Sequence, residues 1–202
     1  MNNLNIRKAS LKDAELAGYM TYDAYKTNSA DIFGKIMPRE AERCFSALWR
    51  NGNNRFSYNF SMTADDGRGA IGIITFYDLN EMRRLALPTF WALLKLRGWK
   101  FFTHFLGNIS NFLYYARNMN VKSDELYIAT LSTAENARKK GIGRALLEFA
   151  CNEAKKRNLK RVALHVDAKN LNALAFYEKC GFSKESTTSE KAAFFKMTKN
   201  IL

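Results

Sequence analysis

The stretch Ala137-Arg-Lys-Lys-Gly-Ile-Gly-Arg-Ala-Leu-Leu147 decides how this chain is read. It follows a strand-like run, Leu126–Leu131, and opens a helix-like run that continues to about Lys156. Gly141 and Gly143 stand one residue apart at the hinge. Arg138, Lys139, Lys140 and Arg144 surround them, with no acid between Asn136 and Leu147. The first turn of a helix has N–H groups without intrahelical partners, and the helix dipole makes that end positive. Glycine removes the Cβ that would hold a ligand away from those groups. The combination suits a phosphate or pyrophosphate. A glycine pair before a helix is also a plain packing device, so the stretch alone leaves both readings open.

Upstream, Leu4–Lys8 reads as a first strand. Ser10 and Asp13 form a capping-box-like pair before a helix that runs to about Lys26. Residues 28–34 read as a loop and Arg39–Arg50 as a helix. Phe56, Tyr58, Phe60 and Met62 alternate as in a strand. Asp65-Asp66-Gly67 marks a hairpin turn, and Ala70–Tyr77 is the returning strand. Residues 81–122 differ in character, being rich in aromatics and free of acids from Arg83 to Lys122. Trp99, Phe102, Leu106, Ile109, Leu113 and Ala116 recur at helical spacing, which predicts a helical hairpin broken near Gly98 with that stripe facing the core. A substrate lid or a membrane-surface helix is the other use of such a segment.

Downstream, residues 125–131 and 161–166 read as strands, residues 141–156 and 170–180 as helices, and residues 182–187 and 192–198 as two closing strands. The expectation is one α+β domain over residues 1–202. It has a mixed central sheet of about seven strands, helices on both faces, and residues 81–122 as an inserted helical hairpin.

Composition sets bounds. The chain has 202 residues, 47% hydrophobic and 25% charged, with 32 Lys+Arg against 19 Asp+Glu for a net +13. That length can bury a real core, and that charge favours anionic partners. Cys44, Cys151 and Cys180 read as buried free thiols of a reducing compartment. No Cys/His pair has metal-ligand spacing, so no metal is expected. The N-terminus lacks a signal-peptide core, and no run reaches the roughly 18 apolar residues of a membrane span. A cytoplasmic protein is expected. No nucleic-acid-binding pattern accompanies the basic charge, so nucleic acid is not expected as a partner.

Two motifs in order and spacing carry a resemblance. Arg138-Lys-Lys-Gly141-Ile-Gly143 follows a strand ending Leu131-Ser132-Thr133, and Asn170 precedes Tyr177 on the next helix, which ends at Gly181-Phe182. Residues 125–186 thereby resemble the GNAT superfamily of acyl-CoA-dependent N-acyltransferases. The family usually has Gly where Lys139 stands. The resemblance implies acetyl-CoA as cosubstrate and an amine of a small molecule or peptide as acceptor. It implies that Arg138, Lys139, Lys140, Gly141, Ile142, Gly143 and Arg144 meet the phosphates. Leu131, Ser132 and Thr133 would splay from the neighbouring strand at a bulge and pair with the pantetheine arm, with Asn170 beside it. Tyr177 would be the general acid. The strand positions where family members often carry a basic Glu hold Ala129 and Thr130, so no base is assigned. His165 reads as a solvated or hydrogen-bonded strand histidine, and His104 as a surface or satisfied one. An intact loop without a base is also what a non-catalytic acyl-CoA-binding module would show. A homodimer is left open.

Overall fold

A computed structural model describes residues 4–110, 120–185 and 194–201. Seven strands form one mixed sheet among these residues: β1 (Asn5–Lys8), β2 (Ser61–Asp65), β3 (Ala70–Tyr77), β4 (Glu125–Thr133), β5 (Arg161–Asp167), β6 (Ser183–Lys184) and β7 (Phe194–Asn200). Their spatial order is β1-β2-β3-β4-β5-β7-β6. Every pairing is antiparallel except β4 with β5. The helices are α1 (Ala14–Tyr25), α2 (Ser29–Phe33), α3 (Pro38–Arg50), α4 (Leu79–Arg84), α5 (Ala86–Arg97), α6 (Trp99–Gly107), α7 (Ile142–Lys156) and α8 (Leu171–Lys179).

Alternation along β3 distributes the helices over both faces. Ile73 points into a cluster with Ala14, Ala17 and Met20 of α1 and Trp49 of α3. Ile74 and Phe76 point the other way, onto Ile142, Leu146, Leu147 and Ala150 of α7. A strand buried on both faces reads as a continuous apolar run, which Ala70–Tyr77 is. Fully burying side chains of this size stabilises the fold by roughly 1.5–3 kcal/mol each. Among the described residues, no helix is long and apolar enough to cross a membrane.

Local chemistry starts and stops these elements as the sequence suggests in most places. The Ser10 N–H donates to the Asp13 carboxylate at 2.8 Å, closing the expected box before α1. Asp78 caps α4 reciprocally with Glu81. Gly67 and Gly69, both with positive φ, sit in the β2–β3 turn.

Three expectations are corrected. Residues 28–34 are not all loop, because Ser29–Phe33 forms the short α2, closed by Gly34 at φ 77°. Residues 56–62 are not one strand. Tyr58–Phe60 is a 3-10 turn and the strand starts at Ser61, because Phe56 packs instead against Tyr25 and Phe45, with ring centroids 5.7 and 5.3 Å away. The third concerns the insertion, which breaks at Gly98 (φ 58°) as expected. Its buried side is Phe101 and Phe105, packed on Phe90 and on α3. Three of the predicted stripe's residues turn outward, with Trp99 74%, Leu106 53% and Ile109 46% exposed. Leu113 and Ala116 of that stripe, and residues 186–187 and 192–193 of the closing strands, lie outside the described residues.

Candidate active site

Strands β4 and β5 run parallel and pair only from Glu125–Arg161 to Ile128–Leu164. Beyond that point β4 continues to Thr133 and β5 to Asp167 without facing each other. The parting begins beside a bulge. Thr75 and Phe76 of β3 pair with Thr130 and Ile128, so Ala129 is the extra residue. A bulge bends its strand and increases local twist. Leu131–Thr133 therefore remain hydrogen-bonded to β3 but, among the described residues, have no strand partner on their β5 side.

The parting opens into one cleft of about 1770 Å³. That exceeds the roughly 300–1,000 Å³ of an ordinary small-ligand pocket, leaving room for two reactants end to end. Leu131, Ser132, Thr133, Arg138, Lys139, Gly141, Ile142, Gly143, Arg144, Asn170 and Tyr177 all line it. Lys140 does not; it is exposed outside the cleft.

The loop before α7 earns its shape by backbone strain. Lys139 and Gly141 both take positive φ, 60° and 76°. The left-handed region costs an L-residue about 1–2 kcal/mol, which glycine avoids. This is the physical reason a glycine suits the position Lys139 occupies. Gly141 is the N-cap of α7 and carries no capping side chain, so the first N–H groups of the helix stay open. Gly143 serves packing. A Cβ there would lie 3.2 Å from the Phe176 ring of α8, so this glycine sets the approach of two helices. Arg138 reaches across to Asp23 of α1 at 2.8 Å. Arg144 leans toward the last carbonyls of α8, 3.5 Å from that of Lys179.

On α8, Asn170 is an N-cap whose Oδ1 accepts the Ala173 N–H at 3.0 Å. Tyr177 is half-buried between Phe176 and Phe182, and burial pushes its phenol pKa above the usual tyrosine value.

The other half of the cleft is one that sequence reasoning missed. Tyr25 of α1, Tyr77 of β3 and Tyr127 of β4 converge there with Arg55, Phe56, Leu93 and His165. Tyr25 donates to the carbonyl of the bulged Ala129 at 2.8 Å. Burial raises the pKa of all three phenols. His165 stands one residue past the last β4–β5 pair, its Nδ1 3.2 Å from the Tyr127 hydroxyl. His104 bonds the Asp31 carbonyl through Nε2 and neighbours Asn108 through Nδ1. Thr89, Leu93, His104 and Asn108 of the insertion line the cleft, so this segment both packs on α3 and walls the site.

The acids near the strand start are engaged elsewhere. Glu125 is fully buried and holds Lys196 at 2.9 Å, while Asp124 holds Arg161 at 2.9 Å. Burial pushes the Cys44 and Cys151 thiols up, away from nucleophilic use, and Cys180 is half-buried rather than buried. Among the described residues no group of His, Cys, Asp and Glu could hold a metal ion.

Comparison with known proteins bears on this arrangement. The acetyltransferase (GNAT) family profile matches residues 21–182. The ribosomal protein bS18-alanine N-acetyltransferase of Escherichia coli (strain K12) is 36% identical over 61 residues, 30% of this chain and 41% of that one. The chain thus spans about two fifths of the curated relatives it matches. An N-acetyltransferase from Staphylococcus aureus Mu50 superposes with a TM-score of 0.74 at 19% identity, over 96% of this chain and 99% of the other. A PaiA N-acetyltransferase from Thermoplasma acidophilum, in complex with coenzyme A, gives 0.61 at 19% identity over 98% and 99%. At those identities the structural likeness speaks for the fold.

Proposed function

The chain belongs to the acetyltransferase (GNAT) family, and on that premise we propose that it moves an acetyl group from acetyl-CoA to an amine of a small molecule or peptide by direct attack. The family uses acetyl-CoA, which when bound supplies a thioester already activated toward an amine. The observation that carries the reading is the parting of β4 from β5 at the Ala129 bulge, on one cleft with Tyr177. We read residues 1–202 as a single domain, with 81–122 an insertion of which Thr89, Leu93, His104 and Asn108 wall the acceptor side.

The chain's own residues divide the work as follows. The open N–H groups at the start of α7, with Lys139 and Arg144, hold the diphosphate. Arg138 joins them by leaving Asp23. Both side chains of that pair are partly exposed, so exchanging it costs only about 0–1 kcal/mol. The free edge of Leu131–Thr133 pairs with the pantetheine arm as an added strand would. The amine enters from the tyrosine-lined half. His165, at the mouth of the parting, accepts its proton directly or through Tyr127. As nitrogen bonds to the acyl carbon and the C–S bond breaks, the Tyr177 hydroxyl donates to the departing sulfur. Its raised pKa keeps it protonated at neutral pH. The sulfur leaves as the thiol, whose ordinary pKa of about 8.5 keeps it mostly protonated at neutral pH; His165 gives the amine proton to solvent and the Tyr177 phenolate takes one back, so the net products are amide and thiol.

Tyr177→Phe tests this. Acetyl-CoA binding measured by calorimetry should stay within a few-fold, while kcat falls about 10²–10⁴-fold. Undiminished turnover in that variant removes Tyr177 from the chemistry. No heat of acetyl-CoA binding to the unaltered protein sinks the whole reading.

A further inference from the structure

Arg55 is a cation in the cleft with no acid paired to it among the described residues. Its backbone N–H donates to Thr89 Oγ1 at 3.0 Å, which fixes its position between α3 and β2. Its Nε and Nη2 both donate to one neutral oxygen, the Met82 carbonyl, at 3.2 and 2.8 Å. That aligns one edge of the guanidinium and leaves Nη1 and the second N–H of Nη2 as an end-on fork. Among the described residues no carboxylate lies within ion-pair distance of it, in contrast to the cleft's Lys196 with Glu125 and Glu185, and Arg138 with Asp23. The side chain is half-buried and lines the cleft with Phe56, Tyr25, Tyr77 and Tyr127. Its positive charge acts on all three phenols, opposing the rise that burial imposes on them.

A half-buried charge without a counter-ion carries a desolvation cost, and an oriented guanidinium fork is the geometry that takes a carboxylate or phosphate through two parallel bonds. We infer that Arg55 is the anchor for an anionic group on the acceptor, so that the acceptor is an amine bearing a carboxylate or a phosphate. Phe56, Leu93 and the tyrosine rings take its apolar body. The inference rests on the transferase reading only for the word acceptor. The anion site itself stands on the geometry of Arg55.

Four amines test it in two pairs: phenylalanine against phenylalaninamide, and O-phosphoethanolamine against ethanolamine. With saturating acetyl-CoA, kcat/KM should favour the anionic member of at least one pair, and which pair responds separates carboxylate from phosphate. In Arg55→Gln that ratio should fall about 10–100-fold, the worth of hydrogen bonds to a charged group. Arg55→Lys should recover part of it. If Arg55 only braces Met82, all rates fall together and the ratio does not move, which overturns the proposal. A ratio near one in the unaltered protein overturns it as well. Calorimetry of the same four amines with the CoA-saturated protein reads the site without turnover. Arg55-dependent binding of an anionic member with no transfer refutes the transferase reading and upholds the anion site. Equal binding within both pairs refutes the site.

Discussion

Replacing Lys196 with Met should remove about 3–5 kcal/mol of folding stability, the range for breaking a buried ion pair from one side. The structure says why the upper part of that range applies. The Lys196 and Glu125 side chains are 4% and 0% exposed. Nζ lies 3.1 and 2.9 Å from the two Glu125 oxygens, donates to the Asn120 carbonyl at 2.5 Å, and sits 3.3 Å from Glu185. Methionine fills the volume but supplies no donor. Glu185 keeps its partner Lys122 at 2.5 Å and loses little. Among the described residues Glu125 then keeps the Lys122 N–H at 2.9 Å and a distant Arg161 at 3.8 Å. A fully buried carboxylate is thus left nearly unmatched. The partner variant Glu125→Leu should also be costly, because it leaves the ammonium buried. Together the two substitutions remove both charges, and such double replacements are often neutral or stabilising. Urea unfolding of the four proteins gives the coupling directly as a double-mutant cycle. A domain of ordinary stability, about 5–15 kcal/mol, makes the loss measurable. The reasoning is wrong if Lys196→Met loses less than about 1 kcal/mol, or if the double variant loses the sum of the singles.

Further outcomes follow from local geometry. Lys139→Gly should relieve about 1–2 kcal/mol of left-handed strain against the roughly 0.5–1 kcal/mol that glycine adds in chain entropy. A small net gain in urea unfolding is expected, and a less stable variant would contradict the strain. Its acetyl-CoA affinity should fall, since a cation at the loop is lost. Asp124 and Asp65 titrate below the usual carboxylate range, first because Arg161 and Arg7 donate to them at 2.9 and 2.8 Å. A depressed folded pKa gives stability that is complete above the ordinary carboxylate value of about 4 and lost as pH falls below it. The fall in melting temperature from pH 5 to pH 2 should therefore be shallower in Arg161→Met than in the unaltered protein. An identical slope would mean that the Arg161 pair contributes nothing.

The sequence was most legible where the lining of the cleft is contiguous in the chain. The loop at 138–144 and the helix from Asn170 to Tyr177 each occupy one short run, and β3 declares itself by an apolar run after an Asp-Gly turn. Reading failed where one pattern serves two environments. Phe56, Tyr58 and Phe60 alternate, but Phe56 packs with Tyr25 and Phe45, so the strand begins later. Helix α6 has apolar side chains on two faces, and periodicity does not choose between Phe101 with Phe105 and Trp99 with Leu106. Helix α2 is too short to show a period. The tyrosine-lined half of the cleft was invisible because its parts come from separate elements. Tyr25 meets Ala129 across 104 positions of chain, and no local pattern carries such a contact. His165 was legible only as out of phase on its strand, which marks a side chain facing away from the core without saying what it faces.

A sheet's unpaired edge is a template on which another chain can grow, and proteins blunt it with charge or brevity. Here the outermost strands follow that rule. β1 carries Arg7 and Lys8, and β6 is only two residues long. The uncharged edge of β4 at Leu131–Thr133 departs from it. That edge lies inside the strand order, between β3 and β5, rather than at either margin of the sheet. The parting of two neighbours thus turns a stretch of backbone toward the cleft, away from both margins of the sheet where another copy of the chain would meet it edge to edge.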